Sequence, residues 1–223
     1  MPRGVLPDPG VVARQALNEI VGWAKSPFAI LPTRVKQSDA TVDSLRAPET
    51  LTTARLALRP IVVADAAAIF AYASDPDATR FMNWPCHRAL AESDAYARRC
   101  VKCWQDGSAF PWAIVRRETG DFVGAIELRL RPPKADFGYI LRRAVWRQGF
   151  AGEAASAVVA WAMAQPAIYR VWATCHPDNI ASARVLEKAG LRAEGRLARW
   201  EPRPNLGEAA GDSLVYAVTR PPM

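Results

Sequence analysis

Two glycines precede an apolar segment of helical periodicity in WRQGFAGEAASAVVAWA, residues 146–162. Gly149 and Gly152 are three positions apart, and Arg147 and Gln148 place side-chain donors before them. The first N–H groups of a helix have no partner within it, and the helix dipole adds roughly half a positive charge there. Glycines let a ligand's phosphates approach these groups. The stretch therefore indicates an anion-binding turn, most naturally for a pyrophosphate; a tight turn that merely needs glycine is the alternative.

Two familiar phosphate-binding motifs are missing from the sequence. It has no G-x-x-x-x-G-K-[ST], which excludes a P-loop. It also has no G-x-G-x-x-G with an acidic residue about 20 positions later at a strand end, which argues against a dinucleotide-binding fold.

The elements around the glycine turn predict an α/β domain. From Leu51 the pattern reads β-α-α-β-β-β-α-β-α-β-β, and the turn lies between the strand GYILRRAV and the helix after it. This order predicts a mixed sheet with helices on both faces. We expect the domain to span residues 51–220.

Residues 1–50 have a different character and predict an N-terminal arm. Asp8 and Pro9 resemble an N-cap and a first helical proline, which predicts a helix from Pro9 to about Trp23. The polar, proline-punctuated segment after it predicts a linker. Capping of the domain, dimerisation and disorder are all compatible with this arm.

The composition favours a globular protein without a membrane span. The chain has 223 residues, half of them hydrophobic, and a formal net charge of +7. No apolar run reaches the roughly 18 residues that a span needs, and the N-terminus lacks the apolar core of a secretory signal. We therefore expect a cytoplasmic protein. The charge favours anionic partners, but without a dense Lys/Arg run it does not favour nucleic acid.

The four cysteines predict reduced thiols rather than a metal site. Cys86, His87, Cys100 and Cys103 are the one combination with zinc-ligand character. Two adjacent residues reach one tetrahedral ion poorly, and the second pair lies in a predicted helix. Cys175 stands alone. We expect no metal.

Two motifs resemble those of the GNAT superfamily of N-acetyltransferases. The acetyl-CoA loop of that superfamily reads [Q/R]-x-x-G-x-[G/A]; here Gly149 and Ala151 fill the small positions and Trp146 replaces the first residue. The pattern G-Y-x-L-x-x-x-x-W-x-x-G-[YF]-A-x-E-A of the RimJ/RimL-like branch, which acetylates ribosomal-protein N-termini, is met at residues 138–154. Residues 176–195 resemble its N-x-x-S-x-x-V-x-E-K-x-G-F signature.

The resemblance covers residues 51–220 and implies a GNAT-like fold. The sheet is then mostly antiparallel, with six to seven strands. The implied reaction is direct acetyl transfer from acetyl-CoA, as co-substrate, to an amine. The implied coenzyme-binding residues are, for the thioester and pantetheine, Ile140, Leu141, Arg142, Asn179 and Ser182, and for the pyrophosphate, Arg147, Gln148, Gly149, Phe150, Ala151 and Gly152.

The resemblance also implies the residues that move protons. Asp136 lies where related enzymes often carry a glutamate base, and Glu127 is a second candidate. A solvated strand end or a hydrogen-bonded structural group is the alternative for Asp136. Ser182 is the expected acid for the leaving thiolate, and Tyr139 is a weaker candidate. Glu153 is expected to favour the helix dipole rather than to act in catalysis.

Acceptor recognition is expected from the segment between the first two helices, residues 80–87, and from the last strands. Phe81 and Trp84 are the expected wall of the acceptor pocket, with core packing as the alternative, and His87 is a weak candidate base. The acceptor is a protein N-terminal amine or a small amine. A CoA-binding module without transfer activity is the rival reading. A monomer and a homodimer are both compatible with the sequence.

Overall fold

A computed structural model describes residues 45–221 of the chain. The predicted helix from Pro9 to Trp23 and most of the linker lie outside these residues, and the domain boundary at residue 51 stays a prediction. Within the described range the chain forms one mixed sheet with helices on both faces, which confirms the predicted fold class.

The sheet has eight strands. Their bounds are β1 Leu51–Thr52, β2 Leu56–Pro60, β3 Phe110–Arg116, β4 Phe122–Arg131, β5 Lys134–Leu141, β6 Arg170–Cys175, β7 Arg192–Arg203 and β8 Glu208–Thr219. They are ordered β1-β2-β3-β4-β5-β6-β8-β7, and only the β5–β6 pairing is parallel. The additional strand is β1, which pairs with β2 ahead of the first predicted strand.

Of the helices within residues 45–221, the two longest pack on opposite faces of the sheet, and the other three are short. Their bounds are α1 Ala66–Ala73, α2 Pro76–Thr79, α3 Leu90–Asp106, α4 Phe150–Ala164 and α5 Ile180–Lys188. At the start of α3, the Glu92 carboxylate accepts the Arg88 and Ala89 N–H groups at 2.6 and 2.9 Å. Gly190, with φ 88°, follows α5 in the left-handed conformation that glycine favours after a helix.

Apolar side chains are buried on both faces of the sheet. One layer packs α4 and α5 against the strands and contains Ala135, Phe137 and Leu141 of β5. The other layer lies under α1 and α3 and contains Ile140. Side chains therefore alternate along β5, odd-numbered ones toward α4 and even-numbered ones toward α3. We call these two sides of the sheet the α4 face and the α3 face.

Candidate active site

A cleft opens between the parallel strands β5 and β6. They pair only at their first three positions, and Asp136 opposite Trp172 is the last pair. Beyond this pair, β5 stays paired with β4 alone and β6 with β8 alone. A Cβ added at Gly138 would meet no described atom within 4 Å. The sheet thus has a gap into which an extended ligand can insert.

Backbone donors of β5 line one wall of this cleft. The Arg142 N–H donates to the Val123 carbonyl at 2.9 Å, so it faces β4. Successive peptide groups of a strand point in opposite directions, so the Ile140 N–H also faces β4. The N–H groups of Tyr139 and Leu141 face the cleft. The expected backbone donors at 140–142 are therefore corrected to 139 and 141.

The turn before α4 exposes consecutive amide donors. Arg147 and Gly149 have positive φ values of 63° and 82°. The Glu153 N–H donates to the Gly149 carbonyl at 3.1 Å, so the N–H groups of residues 150–152 precede the first intrahelical bond. Glycine suits position 149 because its φ strains any L side chain. Such a row of donors at a helix start binds anions.

Trp146 links this turn to the end of β5. Its indole Nε1 donates to the Leu141 carbonyl at 3.1 Å, although the ring is 45% exposed. Gln148 Nε2 donates to the Ala144 carbonyl at 3.4 Å. The tryptophan at the first motif position therefore has a structural role here. It bonds to the Leu141 carbonyl and not to the Leu141 N–H, which faces the cleft.

Arg55 and Glu153 anchor the first turn of α4 to the start of β2. The Glu153 carboxylate accepts Thr53 Oγ1 at 2.6 Å and Arg55 Nε at 2.7 Å, and Arg55 Nη1 donates to the Gln148 carbonyl at 3.0 Å. Burial alone would raise the pKa of Glu153, but the hydrogen bonds from Thr53 and Arg55 outweigh it and lower the pKa. Glu153 is thus a charged anchor rather than a proton acceptor.

A serine and a tyrosine are hydrogen-bonded at the cleft. Asn179 caps α5, because its Oδ1 accepts the Ser182 N–H at 3.1 Å. The Tyr139 hydroxyl lies 2.7 Å from Ser182 Oγ. Burial raises the pKa of Tyr139, so the phenol keeps its proton and can donate it to the serine oxygen. Ser182 then has its own hydroxyl proton available for another acceptor.

Two carboxylates share an arginine on the α3 face near the last β5–β6 pair. Asp136 Oδ2 accepts Arg129 Nε at 2.6 Å, and Glu127 accepts Arg129 Nη1 at 2.8 Å and Arg99 Nη2 at 2.7 Å. Both Glu127 oxygens are therefore occupied. Asp136 Oδ1 has no hydrogen-bond partner among residues 45–221 and lies 3.8 Å from Arg131 Nη1. One oxygen of Asp136 remains available to accept a proton.

The aromatic residues predicted to line the acceptor pocket occupy two environments. The Phe81 ring stacks on His176, just after β6, with 5.0 Å between the ring centroids. Trp84 packs against the apolar layer of the α3 face and lies 5.3 Å from the His87 ring. Burial lowers the pKa of His87, whose Nδ1 is 2.8 Å from Ser93 Oγ.

Asn205 ties this segment to the turn between β7 and β8. Its Nδ2 donates to the carbonyls of Thr79 and Trp84 at 2.7 and 3.0 Å, and its Oδ1 accepts the Cys86 N–H at 2.8 Å. One side chain thus fixes the chain at three points, and the segment is held across the α3 face.

Glu201 centres a buried polar network on the same face. Its Oε1 accepts Thr174 Oγ1 at 3.1 Å, Arg203 Nη2 at 2.7 Å and Ser213 Oγ at 2.9 Å, while Asn83 Nδ2 donates to Oε2 at 3.0 Å. Burial alone would raise the pKa of Glu201, but these hydrogen bonds, led by that of Arg203, lower it. Glu201 therefore carries its charge at neutral pH.

The comparisons with known proteins decide the family. The family described as "Acetyltransferase (GNAT) domain" matches residues 55–192. The chain belongs to this family. Its relative YoaA of Bacillus subtilis (strain 168), described as an uncharacterized N-acetyltransferase, is 31% identical over 174 residues, which are 77% of this chain and 97% of YoaA.

Solved acetyltransferase structures share the fold. RimL, the ribosomal L7/L12 alpha-N-protein acetyltransferase in complex with coenzyme A, superposes with a TM-score of 0.68 at 20% identity, over 77% of this chain and 98% of RimL. The microcin C7 self-immunity acetyltransferase MccE, in complex with acetyl-CoA and AMP, gives 0.69 at 17% identity, over 78% and 98%. A GNAT-family acetyltransferase from Bacillus anthracis gives 0.67 at 23% identity, over 76% and 98%.

Several residues of this acetyltransferase site were missed from the sequence. Arg55 follows a predicted strand start and Arg129 lies within a strand, so neither belongs to a recognisable motif. Glu201 and Asn205 each bond to a residue more than 100 positions earlier in the chain. Glu201 accepts a hydrogen bond from Asn83, and Asn205 donates one to the Thr79 carbonyl. The one signal in the sequence was that Glu201 and Asn205 are polar residues in apolar or turn segments.

The described part of the acetyltransferase offers no metal cluster. Among residues 45–221, no three His, Cys, Asp or Glu side chains come together as metal ligands. Burial raises the pKa of Cys100 to about 12, which disfavours the thiolate that zinc needs. Nor does any helix within that range have the length and apolar character required to cross a bilayer.

Proposed function

We propose that this acetyltransferase transfers the acetyl group of acetyl-CoA by direct attack of a primary amine, and that the amine is the N-terminus of a polypeptide. The observation that carries the proposal is the β5–β6 cleft. Amide donors, the Tyr139–Ser182 pair and a carboxylate with a free oxygen all lie beside it. These are the groups that amine acylation requires.

The residues present fit acetyl-CoA. The N–H groups of residues 147–152 would hold the pyrophosphate, because a positive φ at Gly149 and the start of α4 leave consecutive donors there. Tyr139 and Leu141 would pair with the pantetheine as an added strand. Asn179 would hold the loop that faces it. When bound, acetyl-CoA supplies an electrophilic thioester carbonyl and a thiol leaving group.

Each step of proton transfer has a residue suited to it. Asp136 Oδ1 accepts the proton of the acceptor amine through water, because its other oxygen is held by Arg129. The Tyr139 N–H stabilises the negative charge that develops on the carbonyl oxygen, while the Leu141 N–H and the Tyr139 carbonyl, which face the same way, pair with the pantetheine. Ser182 Oγ gives its proton to the leaving sulfur and regains one from water, while the Tyr139 hydroxyl keeps its proton and donates a hydrogen bond to Ser182 Oγ.

Two neighbours support different acceptors. RimL is described as acting on the α-amine of a ribosomal protein, which supports a polypeptide N-terminus. MccE is described as a self-immunity enzyme with AMP bound, which supports a small-molecule amine as the second candidate. The net charge of +7 opposes polycationic acceptors such as polyamines. We favour the polypeptide because its single charged amine is less strongly repelled by the positive charge of the protein than a polycation is.

A thiol-release assay tests the proposal. Purified protein with acetyl-CoA is given short peptides with free N-termini, the same peptides with blocked N-termini, and small amines. We expect thiol release with the free peptides and none with the blocked ones. Release with small amines alone would favour the second candidate. Binding of acetyl-CoA with no release on any amine would contradict transfer and leave a CoA-binding module.

A further inference from the structure

An open groove lies on the α3 face beside the cleft. It encloses about 460 Å³, and its lining includes Lys134, Arg170, Trp172, Glu194, Leu197 and Trp200. We call it the Trp200 groove. On this face α1 and α3 pack over β2–β5, whereas the helices that contact β6 and β7 are α4 and α5, which lie on the α4 face. The volume is in the range of about 300–1,000 Å³ that ligand sites have.

The structure holds Trp200 toward solvent. The residue is 50% exposed, and Arg199 before it has φ 49°, a left-handed conformation that few non-glycine residues adopt. Asp212 fixes this turn, because its carboxylate accepts the Arg199 N–H at 2.9 Å and Arg196 Nε at 2.7 Å. A large aromatic side chain kept exposed by a strained, hydrogen-bonded turn is typical of a contact surface.

The groove begins where the cleft ends. Trp172 lines the groove and is the ladder partner of Asp136, the last pair before β5 and β6 separate. Asn205, in the turn between β7 and β8, ties the chain at Thr79, Trp84 and Cys86 to these two strands. The Trp200 groove is therefore the open surface next to the carboxylate that we propose as the base.

Positive charge remains unpaired at the rim of the groove. Arg170 is paired with Glu194, and Arg196 uses only its Nε on Asp212. Lys134 makes no ion pair with any described residue, and neither Nη of Arg196 has a described partner. The groove thus combines an indole surface with donors suited to a carboxylate.

We propose that the Trp200 groove binds the residues that follow the reacting amine of a polypeptide acceptor, and that it favours an apolar residue beside an acidic one. This rests on the proposed function. The indoles of Trp172 and Trp200 provide the apolar contact, and Lys134 and Arg196 bind the carboxylate. A small amine has no part that reaches the groove, so the groove distinguishes peptides from small amines.

Peptide binding and turnover test this proposal together. The probes are the amides Ala-Leu-Glu-Gly, Ala-Leu-Lys-Gly and alaninamide, with binding measured by calorimetry on the CoA complex and turnover by thiol release. The variants are Trp200→Ala and Lys134→Glu, and Val62→Ala is the control, because Val62 is an exposed apolar residue on the loop after β2. Light scattering on each variant reports the oligomeric state.

We expect both groove variants to weaken binding of the Glu peptide and raise its KM about tenfold or more. The KM for acetyl-CoA and the turnover of alaninamide should not change, and Lys134→Glu should prefer the Lys peptide. The control should match the unmodified protein. Peptide binding that needs Trp200, without turnover, would support the groove and contradict the proposed function.

Turnover of the Glu peptide with an unchanged KM in both variants would overturn the proposal that the groove binds peptide, and would leave the proposed function intact. So would an equal preference for the Glu and Lys peptides in the unmodified protein. Conversion of a dimer into a monomer by Trp200→Ala, with the peptide KM unchanged, would show that a second copy covers the groove and would also overturn the proposal.

Discussion

Asp136 and Glu127 differ at the level of single oxygen atoms. Both carboxylates are bound to Arg129, yet only Asp136 keeps an oxygen without a hydrogen-bond partner among the described residues. The second oxygen of Glu127 accepts a hydrogen bond from Arg99. A carboxylate oxygen without a hydrogen bond from an arginine accepts a proton more readily, so the structure supports the predicted preference for Asp136, whose role stays a prediction.

Replacing each carboxylate by its amide tests this preference. We expect Asp136→Asn to lower kcat about a hundredfold or more, as the loss of a general base does, with the KM for acetyl-CoA unchanged. Glu127→Gln should lower kcat far less. Steady-state kinetics against peptide and acetyl-CoA measure both. Equal losses in the two variants, or a larger loss in Glu127→Gln, would rule out Asp136 as the base.

Glu201 links the polar network to stability in acid. Its pKa is lower in the folded protein than in the unfolded chain, so the stabilisation is present above the unfolded pKa of about 4.3 and is lost as pH falls through the folded pKa. Glu201→Gln leaves the buried Arg203 without its anion, a change that costs about 3 kcal/mol at neutral pH.

Urea denaturation between pH 7 and pH 3 checks this linkage. The free energy of unfolding should differ most between the two proteins near pH 7, and the gap should close as the pH falls below about 4.3. Glu118→Gln is the control, because that side chain is 87% exposed and its loss should change little. A gap that stays constant down to pH 3 would refute the account.

At the scale of elements, two glycines on neighbouring strands have different roles, one in strand packing and one beside the cleft. A Cβ at Gly124 on β4 would lie 2.3 Å from the Ile140 carbonyl oxygen and 2.8 Å from Leu141 Cα, both backbone atoms that cannot turn aside. A Cβ at Gly138 on β5 would meet no described atom within 4 Å. The first glycine permits β4 and β5 to pair, and the second leaves open space on the α3 face beside the cleft.

The alanine variants of these glycines should therefore fail in different ways. We expect Gly124→Ala to lose about 1–3 kcal/mol of unfolding free energy, because the strands must move apart. Gly138→Ala should keep its stability within about 0.5 kcal/mol and lose activity, because its methyl group projects onto the α3 face beside the cleft, where the acceptor is proposed to bind. Chemical denaturation and thiol release measure the two effects. Full activity in a stable Gly138→Ala would show that no ligand comes near this residue.

Some elements followed from local sequence and others did not. The apolar periodicity after Gly149 predicts the helix α4, and a glycine at position 190 is typical of a helix end; both signals act within a few residues and both agree with the structure. By sequence alone, Asp65 before an alanine-rich run predicts an N-cap for α1. Its carboxylate instead binds Arg59 and the Val62 N–H, since a bidentate partner on β2 outweighs a local cap. The helical pattern does not reveal this competitor, because Arg59 lies on the preceding strand, six residues earlier.

At the scale of the whole molecule, the order of helices and strands along the chain and the turn before α4 were predictable, but the contents of the α3 face were not. Periodicity and two motifs gave the fold and the family. The pairing of Asp136 with Arg129, the hydrogen bonds of Asn205 and the Trp200 groove depend on residues that approach only in three dimensions. The acceptor side is therefore where the sequence was least informative.

The central claim is that the N–H groups at the start of α4 bind coenzyme A. Proline is tolerated in the first turn of a helix and removes one N–H, so Ala151→Pro deletes a single donor. Ala91→Pro is a matched control at the second position of α3. Both substitutions leave the charges of the protein unchanged.

Calorimetry with coenzyme A on the three proteins is the most direct test. We expect the unmodified protein and Ala91→Pro to bind with the same Kd, and Ala151→Pro to bind about tenfold or more weakly, as the loss of a hydrogen bond to a charged group implies. An unmodified protein that binds no coenzyme A, or a folded Ala151→Pro that binds as tightly as the control, would contradict the account.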